Sequence, residues 1–306
     1  MPNRPNPQQE SETECCQETH HHHLEYLKNR MPTQQEMDDA AELFKVFGDP
    51  TRLKLLAALL AQEIAQPLGI PAYIYDAVVM DQMEDIAKLS GLPEIRRKAS
   101  CHALNMRAMA IKAAQAKGWR LEEKNIIVCH MGAGISATVI HGGRMVDVIT
   151  DEEGPYSPER SGGLPNRQLI DLCFSGGFDR LSATKRTRGQ GGLMAYLGTN
   201  NALEVEDRIA AGDAEARLVY DGLTYQVAKN VASLGAVVSG AVDLVVLTGA
   251  LAHSSYIIDR VAPRVAFLGE VQVLPGENEL EALAYGILRV LRKDEGFHIF
   301  HDPQAC

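Results

Sequence analysis

Apolar residues in the middle of the chain fall into short runs that are separated by small residues. Two such runs, residues 126–131 and 135–140, flank a glycine-containing loop at residues 132–134. Short apolar runs joined in this way are typical of a β-hairpin. A second glycine turn at residues 142–144 precedes a third run at residues 145–150. The pattern therefore predicts three short strands in a meander.

The loop between the first two predicted strands has two interpretations. Gly132, Ala133 and Gly134 carry little or no side chain, so their backbone N–H groups can approach a polyphosphate without steric hindrance. A plain glycine-containing hairpin turn is the other interpretation, and it is the more frequent one for an isolated Gly-x-Gly. An isolated Gly-x-Gly pattern does not decide between these two interpretations.

The second half of the chain predicts alternating helices and strands. Helical periodicity follows a Gly- and Pro-rich stretch and includes a helix at about residues 217–238. The nearly continuous apolar run at residues 242–247 is typical of a strand buried on both faces. Small residues at 248–252 follow it, and the carboxyl end of such a strand is where open α/β sheets bind ligands. A strand at about residues 266–274 and a helix ending near Arg292 complete the order.

This order of elements is that of the actin-like nucleotide-binding fold. The predicted fold class is α/β, an actin-like or ribonuclease H-like nucleotide-binding domain with a mixed sheet, preceded by a partial helical N-terminal segment. Four motifs in matching order resemble the butyrate kinase family, the branched- and short-chain member of the acetate kinase group. They are residues 130–136, 153–165, 193–200 and 275–279.

The resemblance covers about residues 61–295 and implies a reaction. Members of this family transfer a phosphoryl group from ATP to butyrate or a similar short-chain acid, giving an acyl phosphate and ADP. Phosphoryl transfer to a carboxylate needs positioning and charge neutralisation more than a base, because a carboxylate has no proton to remove. The resemblance also implies Mg²⁺ as a cofactor and assembly into a homo-oligomer.

Individual residues receive roles through the same resemblance. Asp76 would orient Mg²⁺ or its waters, and His102 would stabilise charge in the transition state. Arg160 would contact phosphate or the carboxylate of the acid, and Glu279, or alternatively Glu277, would lie near the metal. The residues expected to hold the nucleotide are His130, Gly132, Ala133, Gly134, Ser136, Thr248, Gly249, Ala250 and Leu251.

Structural roles explain several of these residues as well. Asp76 ends a predicted short strand at residues 71–76, and a strand-terminal aspartate is often only a turn former. His102 precedes a predicted helix at about residues 103–117, and an isolated histidine there is as often structural as catalytic. Glu279 can cap the closing helix.

The amino-terminal part of the chain departs from the family pattern. Residues 1–30 are polar and include Cys15-Cys16 and four histidines, which predicts a disordered tail, with a metal-sensing arm as the alternative. Residues 31–62 predict a helical segment, and within it residues 34–60 resemble the start of a metal-sensing winged-helix repressor.

The family resemblance predicts two further segments. Residues 63–122 are expected to be a remnant of the first kinase domain with its crossing helix, most of that domain being missing. Residues 123–306 are expected to form the actin-like second domain. Three functions are therefore open: an active kinase, an inactive remnant that has lost one wall of its cleft, and a metal-responsive regulator that uses the Cys/His arm.

The composition limits the partners of the chain. A formal net charge of -10 over 306 residues argues against a general nucleic-acid surface. No apolar run is long enough to span a bilayer and the amino terminus is polar, which predicts a cytoplasmic protein without a membrane partner. The six cysteines are expected to be reduced thiols in a chain of this size.

Overall fold

The computed structural model describes residues 63–76, 80–277 and 279–296. The chain divides into two units, of which the first ends at Leu68 and the second begins at Gly69. In the first unit the structure describes a 3₁₀ turn at Gln66–Leu68. The predicted tail and the repressor-like helical segment lie outside the described residues. The boundaries predicted after residues 30, 62 and 122 stay predictions.

A five-stranded mixed sheet forms the centre of the second unit, as the sequence predicts. Its strands are β1 (Ile126–Met131), β2 (Ile135–His141), β3 (Arg144–Ile149), β4 (Leu244–Gly249) and β5 (Glu270–Pro275). The spatial order is β3-β2-β1-β4-β5. Strands β1, β2 and β3 form the predicted antiparallel meander, whereas β4 runs parallel to β1 and β5 runs parallel to β4.

Helices cover both faces of this sheet. The α-helices of the described residues are α1 (Ala103–Ala116), α2 (Asn166–Cys173), α3 (Arg180–Thr187), α4 (Gly192–Leu197), α5 (Ala202–Ala210), α6 (Ala214–Leu234), α7 (Ser255–Val265) and α8 (Glu279–Leu291). Short 3₁₀ turns lie at Ile86–Lys88, Leu121–Glu123, Gly235–Val238 and Ala250–His253. Within the described residues, no helix combines the length and the apolar character that crossing a membrane requires.

Two hydrophobic cores explain why the central strands are apolar at every position. Ile127 and Cys129 of β1 face a core that includes Val227 of α6. Ile126, the neighbour of Ile127 in the strand, faces the opposite core, which includes Met106 of α1. Because successive side chains of a strand point to opposite faces, a strand between two helical layers must be apolar throughout. The paired layers hold the ends of β1 and β4 in fixed positions.

The predicted strand at residues 71–76 is wrong. Residues 71–75 have no regular secondary structure, and the chain turns at Asp76, whose φ is +43°. The sheet ends at β3 on one side and β5 on the other, so this segment has no ladder partner in the described structure. The strand predicted from residue 266 begins instead at Glu270, because Leu268 still donates its N–H to Val265 in a turn that follows α7.

Candidate active site

The carboxyl ends of β1 and β4 lie side by side at one end of the sheet. His130 of β1 lies directly opposite Thr248 of β4 in the parallel register. Gly249 has a φ of +91°, and a Cβ atom there would lie 2.7 Å from both the amide nitrogen and the carbonyl carbon of Met131. Only glycine permits this approach. The two small-residue loops predicted from the sequence are therefore neighbours in space.

The loop after β1 is enclosed by polar side chains. The N–H of Gly132 donates to the carbonyl oxygen of Gly134 at 3.0 Å. A Cβ atom at Gly132 would lie 3.2 Å from His130 Nε2 and 3.6 Å from Glu277 Oε1. At Gly134 a Cβ atom would lie 3.0 Å from Asp151 Oδ2. A larger side chain would therefore meet an imidazole and a carboxylate at Gly132, and a carboxylate at Gly134.

The second motif of the sequence, residues 153–165, packs onto this loop. Ser157 donates its hydroxyl to the carbonyl oxygen of Ala133. The backbone N–H of Glu159 donates to the same carbonyl at 3.3 Å. These bonds fix the orientation of the loop because the Ala133 carbonyl is directed towards the motif.

Two histidines stack beside the loop. The rings of His102 and His130 have centroids 4.0 Å apart and planes inclined by 14°. His102 lies at the start of α1, where its Nδ1 lies 2.7 Å from Ser136 Oγ and its backbone N–H donates to the same oxygen at 3.3 Å. Ser136 thus connects the beginning of α1 to the beginning of β2.

The electrostatic environment keeps both histidines neutral. Burial lowers the pKa of His102, and the charge of Arg160 acts in the same direction. The charges of Asp151, Glu277 and Glu279 oppose this change, which places all of these groups within electrostatic reach of His102. Burial also lowers the pKa of His130, to about 3, with His102 contributing in the same direction. An anion close to His102 would favour its protonated form.

The loop after β4 continues the site. Thr248 is fully buried, Gly249 ends the strand, and Ala250 and Leu251 begin the 3₁₀ turn at Ala250–His253. The N–H of Gly249 donates to the carbonyl of Gly276 at 3.2 Å, and the N–H of Gly276 donates back to Gly249 at 3.1 Å. This pair of bonds brings the fourth motif, residues 275–279, to the carboxyl ends of the same strands.

Arg160 lies near the loop after β1, next to Asp151. Its Nε donates to Asp151 Oδ2 at 3.2 Å, and its Nη1 donates to Glu159 Oε2 at 3.3 Å. Asp151 is the carboxylate that borders Gly134. The guanidinium is therefore held beside the glycine loop by two acidic partners.

Asp76 has a different partner from the one expected. Its Oδ1 accepts a hydrogen bond from Arg107 Nε at 2.9 Å, and the two side chains are 6% and 10% exposed. Arg107 also donates to Gln82 Oε1 at 2.7 Å and to the carbonyl of Gly143 at 3.2 Å. Burial raises the pKa of Asp76 to about 6, with Arg107 opposing the change. Within the described residues, the hydrogen bond of Asp76 links it to α1 and not to the glycine loop.

Comparison with known proteins identifies the family. The acetokinase family profile matches residues 76–285. The chain is 45% identical over 241 residues to a protein named probable butyrate kinase 2 from Caldanaerobacter subterraneus subsp. tengcongensis, an alignment that covers 78% of this chain and 68% of that protein. The chain belongs to the acetokinase family. This result confirms the family resemblance drawn from the four motifs.

Solved structures place this acetokinase in the expected fold. An acetate kinase from Porphyromonas gingivalis is similar with a TM-score of 0.68 and 22% identity, covering 84% of this chain and 73% of that one. A propionate kinase from Francisella tularensis subsp. tularensis is similar with a TM-score of 0.64 and 21% identity, covering 76% and 67%. At these identities the likeness shows the fold. The family match begins at Asp76 and so does not extend to the repressor-like residues 34–60.

The acidic residues of this acetokinase fit a divalent cation only in part. Asp76 Oδ2 is buried and has no hydrogen-bond partner in the described structure, which suits an oxygen that would face a cation. Glu279 begins α8, and its charge acts on His102. The described residues contain no group of three or more His, Cys, Asp or Glu side chains placed to hold a metal. Mg²⁺ commonly binds one or two carboxylates together with substrate phosphates, so Asp76 and Glu279 fit it by residue type.

Three residues of this site were not singled out from the sequence. Asn105 bonds to His130, Asp151 borders the glycine loop, and Arg107 pairs with Asp76. Asn105 follows His102 by three positions, so helical spacing alone places both on one face of α1. Asp151 and Arg107 carry no comparable signal, because their partners are defined only by tertiary contacts.

The burial of Asp76 predicts a pH-dependent stability. Because its folded-state pKa is raised to about 6 from 3.8, the folded protein retains a proton that the unfolded chain has lost at pH 5. Stability is therefore lost as the pH rises through this window. Between pH 4 and pH 7.5, the free energy of unfolding of the wild type should fall by on the order of 2 kcal/mol relative to Asp76→Asn. Urea unfolding of both proteins at these two pH values measures the difference.

Asp85→Asn is the matched control for this prediction, since its carboxylate is 96% exposed. It should follow the wild type at both pH values because its surroundings change little on unfolding. A difference between the wild type and Asp76→Asn that does not vary with pH would contradict the prediction.

Proposed function

We propose that this acetokinase catalyses the transfer of the γ-phosphoryl group of ATP to butyrate or a similar short-chain carboxylic acid. The products are the acyl phosphate and ADP, and Mg²⁺ is the cofactor. The observation that carries the proposal is the position of the stacked His102 and His130 beside the glycine loop at the ends of β1 and β4. The 45% identity to a protein named as a butyrate kinase supports the choice of acid.

The proposed reaction forms one bond and breaks one. A carboxylate oxygen of the acid attacks the γ-phosphorus of ATP, and the bond between that phosphorus and the β,γ-bridging oxygen breaks, with its electron pair leaving on ADP. No proton has to be removed from the nucleophile. Catalysis then depends on alignment of the two reactants and on stabilising the charge of the transferring group.

The residues of the site would divide these tasks. Backbone N–H groups around Gly132 and Gly134 would bind phosphate oxygens, because such groups are donors that a small-residue loop leaves accessible. His102 would donate a hydrogen bond to the transferring phosphoryl group. The charge of the bound polyanion would favour the protonated form of His102, which is held neutral by burial in its absence. Charge stabilisation would therefore appear when the substrate binds.

Arg160 and the loop after β4 would complete substrate binding. The guanidinium of Arg160 would contact phosphate or the carboxylate of the acid, and residues 248–251 would flank the adenosine. Asp76 and Glu279 would hold Mg²⁺, which when bound neutralises phosphate charge and helps to orient the transferring group. Assembly into a homo-oligomer stays a prediction.

Trapping of the acyl phosphate with hydroxylamine tests the proposal. The full chain is incubated with Mg-ATP and butyrate, and hydroxamate formation is compared with that from acetate, propionate and isobutyrate. We expect product from butyrate and a rise in melting temperature with Mg-ATP. Absence of hydroxamate with all four acids, together with an unchanged melting temperature, would overturn the proposal.

The two alternative functions are not favoured. Membership of a kinase family accounts for residues 76–285, which include every motif quoted for the site. A protein that is stabilised by Mg-ATP and forms no hydroxamate would restore the interpretation of an inactive relative. The metal-responsive regulator relied on Cys15, Cys16 and nearby histidines, which lie outside the described residues.

A further inference from the structure

The Asn105 side chain joins three segments that are distant in sequence. It lies in the first turn of α1 and is 1% exposed. Its Oδ1 lies 2.9 Å from His130 Nδ1 and 3.4 Å from Thr248 Oγ1. Its Nδ2 donates to the carbonyl oxygens of Gly276, at 3.4 Å, and Glu277. One amide thus connects the helix that begins after His102 with β1, β4 and the motif after β5.

These partners determine the orientation of the amide. Carbonyl oxygens only accept hydrogen bonds, so the Asn105 NH₂ group must face Gly276 and Glu277. The amide oxygen must then face His130, and an amide oxygen also only accepts. His130 Nδ1 therefore carries the proton of this contact. A neutral imidazole has one N–H, so His130 Nε2 is left with a lone pair.

The unprotonated nitrogen lies at the glycine loop. A Cβ atom at Gly132 would lie 3.2 Å from His130 Nε2, so this atom borders the loop. A lone pair repels a phosphate oxygen and accepts a hydrogen bond from a donor. His130 in this form would accept from a water molecule near the phosphates, rather than hold phosphate directly as the sequence suggested.

We propose that Asn105 is a positioning residue that fixes His130 as its Nδ1–H tautomer, so that His130 presents an acceptor to the glycine loop and the cationic role is left to His102. The stacked geometry favours this division, since two imidazolium rings with centroids 4.0 Å apart would repel each other. The catalytic consequence rests on the proposed function, whereas the tautomer itself does not.

Nuclear magnetic resonance of the full chain labelled with ¹⁵N-histidine tests the tautomer. Long-range ¹H–¹⁵N correlations distinguish a protonated Nδ1 from a protonated Nε2, and loss of one set of signals in His130→Gln assigns His130. At pH 7.5 without substrate we expect a single Nδ1–H form. A wild-type spectrum in which the signals assigned to His130 place the proton on Nε2 would overturn the inference.

Asn105→Leu tests whether the amide imposes this form. Leucine is close in size and cannot accept a hydrogen bond, so His130 should shift from a single tautomer to a mixture. Gln115→Leu makes the same kind of change at an exposed position of α1 and should leave His130 unaltered. A folded Asn105→Leu protein that keeps the single Nδ1–H form would show that Asn105 does not set the tautomer.

The outcome is separable from that of the kinase assay. An Nδ1–H tautomer in a protein that makes no acyl phosphate would leave this inference standing while the proposed function fails. Acyl phosphate formation by a protein whose His130 is protonated on Nε2 would sustain the function and reject the role of Asn105.

Discussion

His102→Ala is expected to lower the kcat for acyl phosphate formation by about 10²- to 10³-fold, the usual cost of removing one donor that stabilises transition-state charge. The imidazole is fixed by its stack on His130 and by its 2.7 Å contact with Ser136 Oγ. Alanine removes the donor and leaves the backbone bond to Ser136 in place. Hydroxamate formation at saturating Mg-ATP and butyrate measures kcat for both proteins.

His141→Ala is the matched control for this prediction. His141 is exposed at the end of β2, and its Nδ1 lies 2.7 Å from Asn125 Oδ1. Its loss should leave kcat unchanged. The rise in melting temperature with Mg-ATP should persist in His102→Ala, because the glycine loop supplies the phosphate contacts. A wild-type kcat in His102→Ala would exclude the proposed role.

The sheet could be predicted from the sequence because its signals are local. The meander of β1, β2 and β3 follows from short apolar runs separated by glycine turns. The run at residues 242–247 is apolar except for Asp243, because both cores need the side chains of β4, which is buried at every position. Helix α6 runs from Ala214 to Leu234 and a 3₁₀ turn continues to Val238, so the helix predicted at about residues 217–238 exists, but its α-helical part begins and ends three to four residues earlier.

The environment of Asp76 could not be predicted, because it depends on side chains far away in sequence. Arg107 lies 31 positions later and reaches Asp76 only because α1 packs against this part of the chain. The predicted strand at residues 71–76 failed for a similar reason. A strand needs a neighbour for its backbone groups, and propensity does not say whether the fold supplies one.

The candidate site was partly visible in the sequence. Small residues at Gly132 and Gly249 mark loops at strand ends, yet the pattern of the first loop by itself favours a plain turn. The structure adds the neighbours of that loop: His130, Glu277 and Asp151 surround it, and Met131 contacts Gly249. Helical spacing predicts that Asn105 shares a face of α1 with His102, but its hydrogen bonds to Gly276 and Glu277 arise only in the folded chain.

Gly249→Ala is expected to remove the stabilisation by Mg-ATP and to lower the free energy of unfolding by roughly 2–4 kcal/mol. Alanine at a φ of +91° is strained, and its Cβ would lie 2.7 Å from two backbone atoms of Met131. Backbone atoms cannot rotate away as a side chain does, so the ends of β1 and β4 must separate. That movement would also strain the paired bonds between Gly249 and Gly276. Urea unfolding and melting with Mg-ATP measure the two effects.

Gly212→Ala is the control for this prediction. Gly212 has a φ of +93°, and a Cβ atom there would meet no atom within 4 Å. It therefore has a similar positive φ without the collision, and we expect it to cost about 1–2 kcal/mol and to retain the shift with Mg-ATP. Equal losses of stability in the two variants, with ATP binding kept in both, would contradict the prediction. A larger loss of stability at Gly249, together with loss of ATP binding, would support a link between the close contact of β1 with β4 and the nucleotide site.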